Sequence, residues 1–509
     1  MLKIKMLVLV LLCTSVFEIK AQSADDKHQI KTIIVFFDGL RPDYITPALM
    51  PNVYDFKQKG SYGAQHHSVF PTVTRVNAAS YATGSYPETH GLMGNTVYFP
   101  EVNPTKGLNT GEAAELIKIT ETTNNHLLTA ISLGEILQQV GSKMMVFSSG
   151  SSGQAYIQNH KVSGGAVVNT SIILPASFKD TVIETVGAIP PHAKPNVAQH
   201  QWITDAFIKF SLKKDGPLVS AIWFSDPDGT AHSDGIGTAT ANASIKSVDE
   251  QFGRIIKALK DKGQTESYNI IISADHGFVT DVGQQGLAEF LIAQGFKKDK
   301  NSDDVVVAEG ALYIKNHDVQ TIQRIVNALQ KEKWVGPIFT KAAIKDPMKG
   351  MIAGTLSFDA IHWNHPTRSA DILVDENWDD RANEFGYKGT SFSRGVAGHG
   401  GFSPYEVHIP LIAAGPSFKK SYIGNLPTSN VDIVPTILHL SHLKIPEEMD
   451  GRVMYELLNE EAPKSFVAQA KMKQIETSVN YLGGTYRLIL QKSVLGKYSY
   501  NDFAKVIRD

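Results

Sequence analysis

An open α/β sheet, doubly wound and mostly parallel, is the fold this sequence predicts. Three observations predict it. Several short runs are apolar throughout instead of alternating: KTIIVFF at 31–37, PLVSAIWFS at 217–225, YNIIISA at 268–274 and VHIPLIAAG at 407–415. Unbroken apolar runs are what strands read as when both faces of a sheet are covered, as in parallel sheets. Between them lie helical patterns such as ASIKSVDEQFGRIIKALKDKG, which closes on Gly263. Third, three of the runs end directly in acidic or imidazole clusters: Asp38, Asp226-Pro227-Asp228 and Asp275-His276-Gly277. Ligands of such sheets bind beyond the carboxyl ends of the strands, so these clusters fall at the expected site edge.

Taken in order, the chain starts with what reads as an export signal. Lys3 and Lys5 precede the apolar run MLVLVLLCTSVF, which is too short to span a bilayer, and EIKAQS offers a cut after Ala21. Residues 1–21 are therefore taken as a signal peptide, and the expected location is secreted or periplasmic. The single cysteine, Cys13, falls inside that segment, so no disulfide argument applies to the rest. Leu12 stands where a lipidated Cys13 would want a small residue. No other segment reads as a transmembrane helix. The chain has 509 residues, 42% hydrophobic and 20% charged, with a net charge of −2. That is an ordinary globular balance and argues against a stable nucleic-acid partner.

The segments 22–278 and 396–509 form the expected core. Residues 279–395 break the βαβ rhythm with VVVAEGALYIKN, the helix DVQTIQRIVNALQKEKW and the strand SADILVD, and are expected to form an inserted α+β cap. A smaller insertion is expected near 97–130. The tail after 460, with GGTYRLILQKS and KYSYND, is expected to add edge strands to the core.

The chemistry-bearing residues are Asp38, Asp228, His232, Asp275, His276 and His399, all after strand-like runs or in glycine-rich loops. Each alone reads as a turn or cap. Together they would crowd several carboxylates in one place, which is costly without a cation. Asp with His suits a divalent ion such as zinc, and two ions would offset that cost. The stretch SVFPTVTRVNAASYATG puts Thr72 and Thr74 at the start of a helical pattern. A hydroxyl there is a cap, or a nucleophile facing an anion site.

These residues carry a resemblance. FFDGLRPDY, FPTVTRVNAASYATGSYPETHGLMGN, DPDGTAH, SADHGF, GHGGFSPYEVHIPLIAAGP and NVDIVPTILHLSHLKIPEEMDGRVMYELL resemble, in order, the motifs of the nucleotide pyrophosphatase/phosphodiesterase family of the alkaline phosphatase superfamily, over about 30–455. The resemblance implies an alkaline-phosphatase-like core and a hydrolase with two divalent metal ions, zinc being favoured. It implies Asp38, Asp275 and His276 on one ion beside Thr74, and Asp228, His232 and His399 on the other. It further implies Thr74 as nucleophile, forming a phosphoryl-threonine intermediate, Asn95 as donor to a phosphoryl oxygen, and Thr72 as structural. The expected substrate is a small phosphodiester or pyrophosphate.

The chain departs from that pattern at Arg75, where nucleotide-hydrolysing members typically have an aromatic residue. Arg75 either stacks on a base or reaches a second anion, or pairs with a nearby carboxylate. SSGSSG at 148–153 reads as a flexible loop or as a cradle for a substrate oxygen. His66, His67 and His90 read as local hydrogen-bonding groups. His362, Trp363 and His365 are candidates for lining the substrate cleft. The alternatives left open are a phosphomonoesterase or phosphonate hydrolase on the same core, which would want Lys161, Arg75 or Arg394 over the phosphate, and a non-catalytic binding protein.

Overall fold

The computed structural model describes residues 30–509; the predicted signal segment lies outside them. Its center is a nine-stranded sheet. The strand order is Tyr422–Ser429, Ser61–His67, His408–Ala414, Tyr268–Ser273, Lys31–Phe37, Val219–Phe224, Met144–Ser148, Ala166–Asn169 and Ile173–Leu174. The middle strands Tyr268–Ser273, Lys31–Phe37, Val219–Phe224 and Met144–Ser148 run parallel, as their unbroken apolar runs predict. His408–Ala414 departs from that expectation. It lies antiparallel to both of its neighbors, so the sheet is mixed.

Helices cover both faces. On one, Thr74–Thr83, Ala113–Thr122, Leu133–Gln139, Ser152–Gln158 and Ile433–Leu440 enclose a core with Ile34, Phe36 and Trp223. On the other, Pro51–Lys59, Val197–Phe210 and Ala239–Asp261 enclose Ile33, Val35 and Phe37. Alternate residues of one strand therefore feed two separate cores, which is why Lys31–Phe37 is apolar at nearly every position. This layering is that of a doubly wound α/β fold, as the sequence predicts.

Within 279–395, a seven-stranded sheet contains Val305–Ala308, Ala311–Ile314, Val335–Thr340 and Ile372–Glu376, packed with the helix Val319–Leu329 around a third core. A four-stranded sheet containing Val279–Asp281 and Ala397–Gly398 joins this region to the central one. Among the described residues, no helix is long and apolar enough to cross a membrane.

The tail corrects an expectation. Lys471–Tyr481, Gly484–Leu495 and Tyr498–Arg508 do not extend the central sheet; they form their own antiparallel three-stranded sheet. Its inward residues Tyr486, Leu488, Leu490, Ala504 and Val506 belong to the third core. The alternating pattern of YRLILQ leaves one face polar, so the sheet can lie against the body without being covered on both sides. SSGSSG is also not a flexible loop: Ser148 ends a strand, and Ser151 caps the buried helix Ser152–Gln158 through the Gln154 N–H.

A buried guanidinium ties the tail to the core. Arg452 donates to both carboxylate oxygens of Glu456 at 2.9 and 2.5 Å, to Pro427 O at 2.8 Å and to Tyr500 Oη at 3.0 Å. Replacing Glu456 by Leu strands that charge in a dry place. The expected loss is about 3–5 kcal/mol in urea unfolding, read as a lower midpoint at unchanged slope.

Candidate metal and nucleophile site

Three adjacent parallel strands deliver the acids. Lys31–Phe37 pairs with Tyr268–Ser273 in a register that matches Phe36 with Ser273, and continuing that register sets Asp38 level with Asp275. On the other side Val219–Phe224 leads into the short helix Asp228–Asp234. Asp228 and His232, four apart, share one face of it. Gly39, at φ +72°, lets the chain turn where Asp228 Cβ would lie 3.1 Å from an added Cβ. Its N–H donates to Asp275 Oδ1 at 3.0 Å.

The six predicted ligands converge. Ligand atoms of Asp228, His232 and His399 lie within 4.8 Å of one another, as do those of Asp38, Asp228 and His276. His276 Nε2 is 3.0 Å from Asp275 Oδ2 and 3.5 Å from Asp38 Oδ1. His232 and His399 place Nε2 at 3.2 and 3.3 Å from Asp228 Oδ1. Asp228 thus stands where the two groups meet, and the His276 and His399 rings stack at 3.4 Å.

The hydrogen bonding favors a cation. Each of these imidazoles sets its Nδ1 against a backbone carbonyl: His276 on Gly277 at 3.0 Å, His232 on Ala397 at 3.0 Å and His399 on Thr72 at 2.8 Å. A carbonyl only accepts, so Nδ1 carries a proton on each ring, and Nε2 turns a lone pair inward in neutral His276 and His399 and in His232 once it gives up its second proton. The carboxylates do the same. Asp38 Oδ2 accepts from the buried Trp223 indole at 3.0 Å, and Asp275 Oδ1 accepts from Gly39 and His276. The remaining Asp38 Oδ1, Asp228 Oδ1 and Asp275 Oδ2 are buried and accept no hydrogen bond. Three lone pairs and three orphaned oxygens pointing at one place form a donor set that suits zinc-like ions, with outer hydrogen bonds fixing each ligand.

Electrostatics agree. Burial, then the neighboring Asp275 and Asp228, hold the Asp38 carboxyl well above the usual range. Burial raises Asp275 to about 7. Burial, then His276, lowers His399 to about 3, and burial lowers His276 as well, so both stay neutral. His232 is the exception. Burial works against its charge, but Asp228 outweighs it and lifts it to about 9.

Thr74 opens the helix Thr74–Thr83, buried, with Oγ1 3.3 Å from His276 Nε2. Thr72 instead holds a loop: its hydroxyl donates to Gly401 O at 2.8 Å and accepts from Gly400 N. Asn95 Oδ1 accepts from the Arg75 N–H at 3.0 Å, leaving Nδ2 as its donor. That bond occupies one of the free N–H groups at the helix start.

Other candidates fall away from the site. Lys161 pairs with Glu135 at 2.7 Å. Arg75 turns its guanidinium toward the Gly111 loop, and its charge is felt by Glu309. His362 bonds Glu88 and Ser499 and stacks on Tyr86, while His365 meets Thr129, so neither reaches the cleft. Trp363 is fully buried. The cleft is a cavity of about 540 Å³ beside His232 and His399, walled by Phe70, Val73 and Leu287, with Glu309, Glu376 and Arg394 on it.

Several supporting groups were not singled out in the sequence. Asn77 clips the preceding loop, accepting from Val69 N and donating to Val69 O and Val73 O. Asn430 bridges Asn77 and Ala274 O. Glu406 and Asp375 accept from Gly401 N and Phe402 N, holding the turn beside His399.

A family model described as type I phosphodiesterase / nucleotide pyrophosphatase matches residues 32–383. The bis(5'-adenosyl)-triphosphatase ENPP4 of Bos taurus is 23% identical over 424 residues, covering 81% of this chain and 78% of that protein. Its Mus musculus namesake is 24% identical over 467 residues, covering 89% and 86%. Among solved structures, murine ectonucleotide pyrophosphatase / phosphodiesterase 5 aligns with a TM-score of 0.57 at 18% identity, covering 84% of this chain and 100% of that one. An inactive variant of it, in complex with AMP, aligns with a TM-score of 0.56 at 18% identity, again covering 84% of this chain and 100% of that one. At that identity the likeness is one of fold.

Cation uptake at this cluster must displace protons. His232, near 9, and Asp275, near 7, both hold protons at neutral pH that a bound ion would expel. Lower pH leaves more protons to compete. Zinc titrated into chelator-stripped protein should release protons at pH 7.5, seen as calorimetric heats that differ between buffers of different ionization enthalpy. Affinity should fall from pH 8 to pH 6.

Proposed function

The chain belongs to the type I phosphodiesterase / nucleotide pyrophosphatase family, and on that premise we propose an exported two-metal hydrolase that cleaves phosphodiester or pyrophosphate bonds through phosphoryl-Thr74. One observation supports this most: a hydroxyl at a helix start, 3.3 Å from His276 Nε2, beside three orphaned carboxylate oxygens. Asp38, Asp275 and His276 would hold one ion, and Asp228, His232 and His399 the other. Divalent ions bound there would lower the proton affinity of the Thr74 hydroxyl and place positive charge beside the departing oxygen.

Thr74 Oγ1 gives up its proton to solvent and bonds to phosphorus as the bond to the leaving group breaks. The leaving oxygen takes a proton from solvent. Water then cleaves the phosphoryl-threonine and restores the hydroxyl. Asn95 Nδ2, aimed by the Arg75 N–H on its oxygen, donates to a phosphoryl oxygen as charge collects there. Residues 279–395 act as the cap, and their Glu309 accepts from Asn95 N at 3.1 Å, bracing that donor.

The cavity favors a diester or pyrophosphate over a dianionic monoester. Glu309 and Glu376 face it, and Arg394, itself 3.9 Å from Glu289, is the cation on it. Dinucleoside polyphosphates fit as a substrate class, in keeping with the ENPP4 relatives' name. The N-terminal signal would deliver the chain to the periplasm or the exterior.

The purified enzyme should turn over bis(p-nitrophenyl) phosphate with kcat/KM at least about tenfold above p-nitrophenyl phosphate. The reverse preference would favor a monoesterase. Thr74→Ala should lower kcat on the order of 10³-fold or more with its circular dichroism unchanged. Equal activity in that variant would end the nucleophile assignment.

A further inference from the structure

A fourth histidine repeats the arrangement of the three in the site, in another part of the molecule. His67 sets Nδ1 against the Thr428 carbonyl at 2.9 Å and Nε2 against Asp502 Oδ1 at 2.9 Å. The carbonyl accepts from the Nδ1 N–H, so Nε2 is the ring nitrogen that faces the carboxylate. Asp502 Oδ1 also accepts from Ser493 Oγ at 2.9 Å, while Oδ2 is buried with no partner. His408 lies directly opposite His67 in the strand register, its ring centroid 4.8 Å away. Ligand atoms of all three residues fall within 4.8 Å of one another.

We propose that His67, His408 and Asp502 form a third metal site, of zinc type, separate from the paired site and structural in role. Two imidazoles and a carboxylate are a borderline donor set that zinc takes at about 2.0–2.2 Å per bond. Tetrahedral bonds of that length put neighboring ligand atoms about 3.3 Å apart, so the 2.9 Å between His67 Nε2 and Asp502 Oδ1 needs little adjustment. A proton shared between His67 and Asp502 would satisfy that pair alone. It would not account for the orphaned Oδ2 or for a second imidazole held within ligand reach. His408 is only partly buried, which gives an ion and a fourth, water ligand a way in from solvent.

The position gives the site a purpose. His67 ends a strand of the central sheet, His408 begins its neighbor, and Asp502 comes from the last strand of the tail sheet. An ion there would staple the tail to the core. It would also pin both segments that lead to the paired site: Thr74 follows seven residues after His67, and His399 stands nine before His408.

The test counts ions. The full chain, stripped with chelator and dialyzed against zinc chloride, is assayed for zinc per chain by mass spectrometry, beside Asp502→Asn and His408→Phe. Each variant should hold one zinc fewer than wild type, whatever the count at the paired site. Equal zinc in wild type and both variants overturns the proposal. If neither variant folds, anomalous diffraction at the zinc edge from zinc-loaded wild-type crystals decides. A peak among His67, His408 and Asp502 supports the site; ordered side chains with no peak there refute it.

Discussion

Three carboxylates share one dry corner of this molecule, at the carboxyl edge of three neighboring strands. Their mutual repulsion and lost hydration are the constraint to which the surrounding structure answers. Asp38 and Asp275 resist ionization there, because burial and like charge both oppose it. Around Asp38, Asp275 and the three histidines the protein satisfies one polar atom and leaves the other facing inward. Trp223 holds one oxygen of Asp38, Gly39 holds one of Asp275, and backbone carbonyls hold the Nδ1 of all three histidines. A folded state built this way is matched to positive charge at its center.

That arrangement depends on rigid elements behind it. Trp223 can orient Asp38 because it is stacked on Phe36 at 4.5 Å in a fully buried core. His399 comes from a loop with no helix or long strand of its own. Its place is set by Thr72, whose carbonyl holds the His399 ring, and by the Thr72, Glu406 and Asp375 side chains, which accept from the backbone N–H groups of the three residues after it. Thr72 therefore couples the segment that carries Thr74 to His399, more than three hundred residues away in sequence. Asn77 and Asn430 do the same between that segment and the strand before Asp275. These buried amides are fully committed, and removing one would leave several partners unpaired.

Residues 279–395 bring polar and charged groups to the site. Glu309, from the inserted region, braces the backbone of Asn95, and Glu376 and Arg394 give the cavity its charge. The tail sheet packs into the same third core as residues 279–395, so the two share one hydrophobic body.

From the sequence alone one could read the parallel central strands, because residues buried on both faces must be apolar at every position. The clustering of Asp38, Asp228, His232, Asp275, His276 and His399 was legible too, because these acids and histidines stand after strand-like runs or in glycine-rich loops, and the family resemblance singled out Thr74. Other features needed the tertiary structure. The antiparallel run of His408–Ala414 and the separate tail sheet depend on pairings between distant segments, which apolar composition does not encode. The fates of Arg75, Lys161, His362 and His365 turned on which carboxylate or hydroxyl happened to be near. The roles of Trp223, Glu406, Asn430 and Asp502 were invisible for the same reason. A supporting residue is defined by the atom it touches, and that contact exists only once the chain has folded.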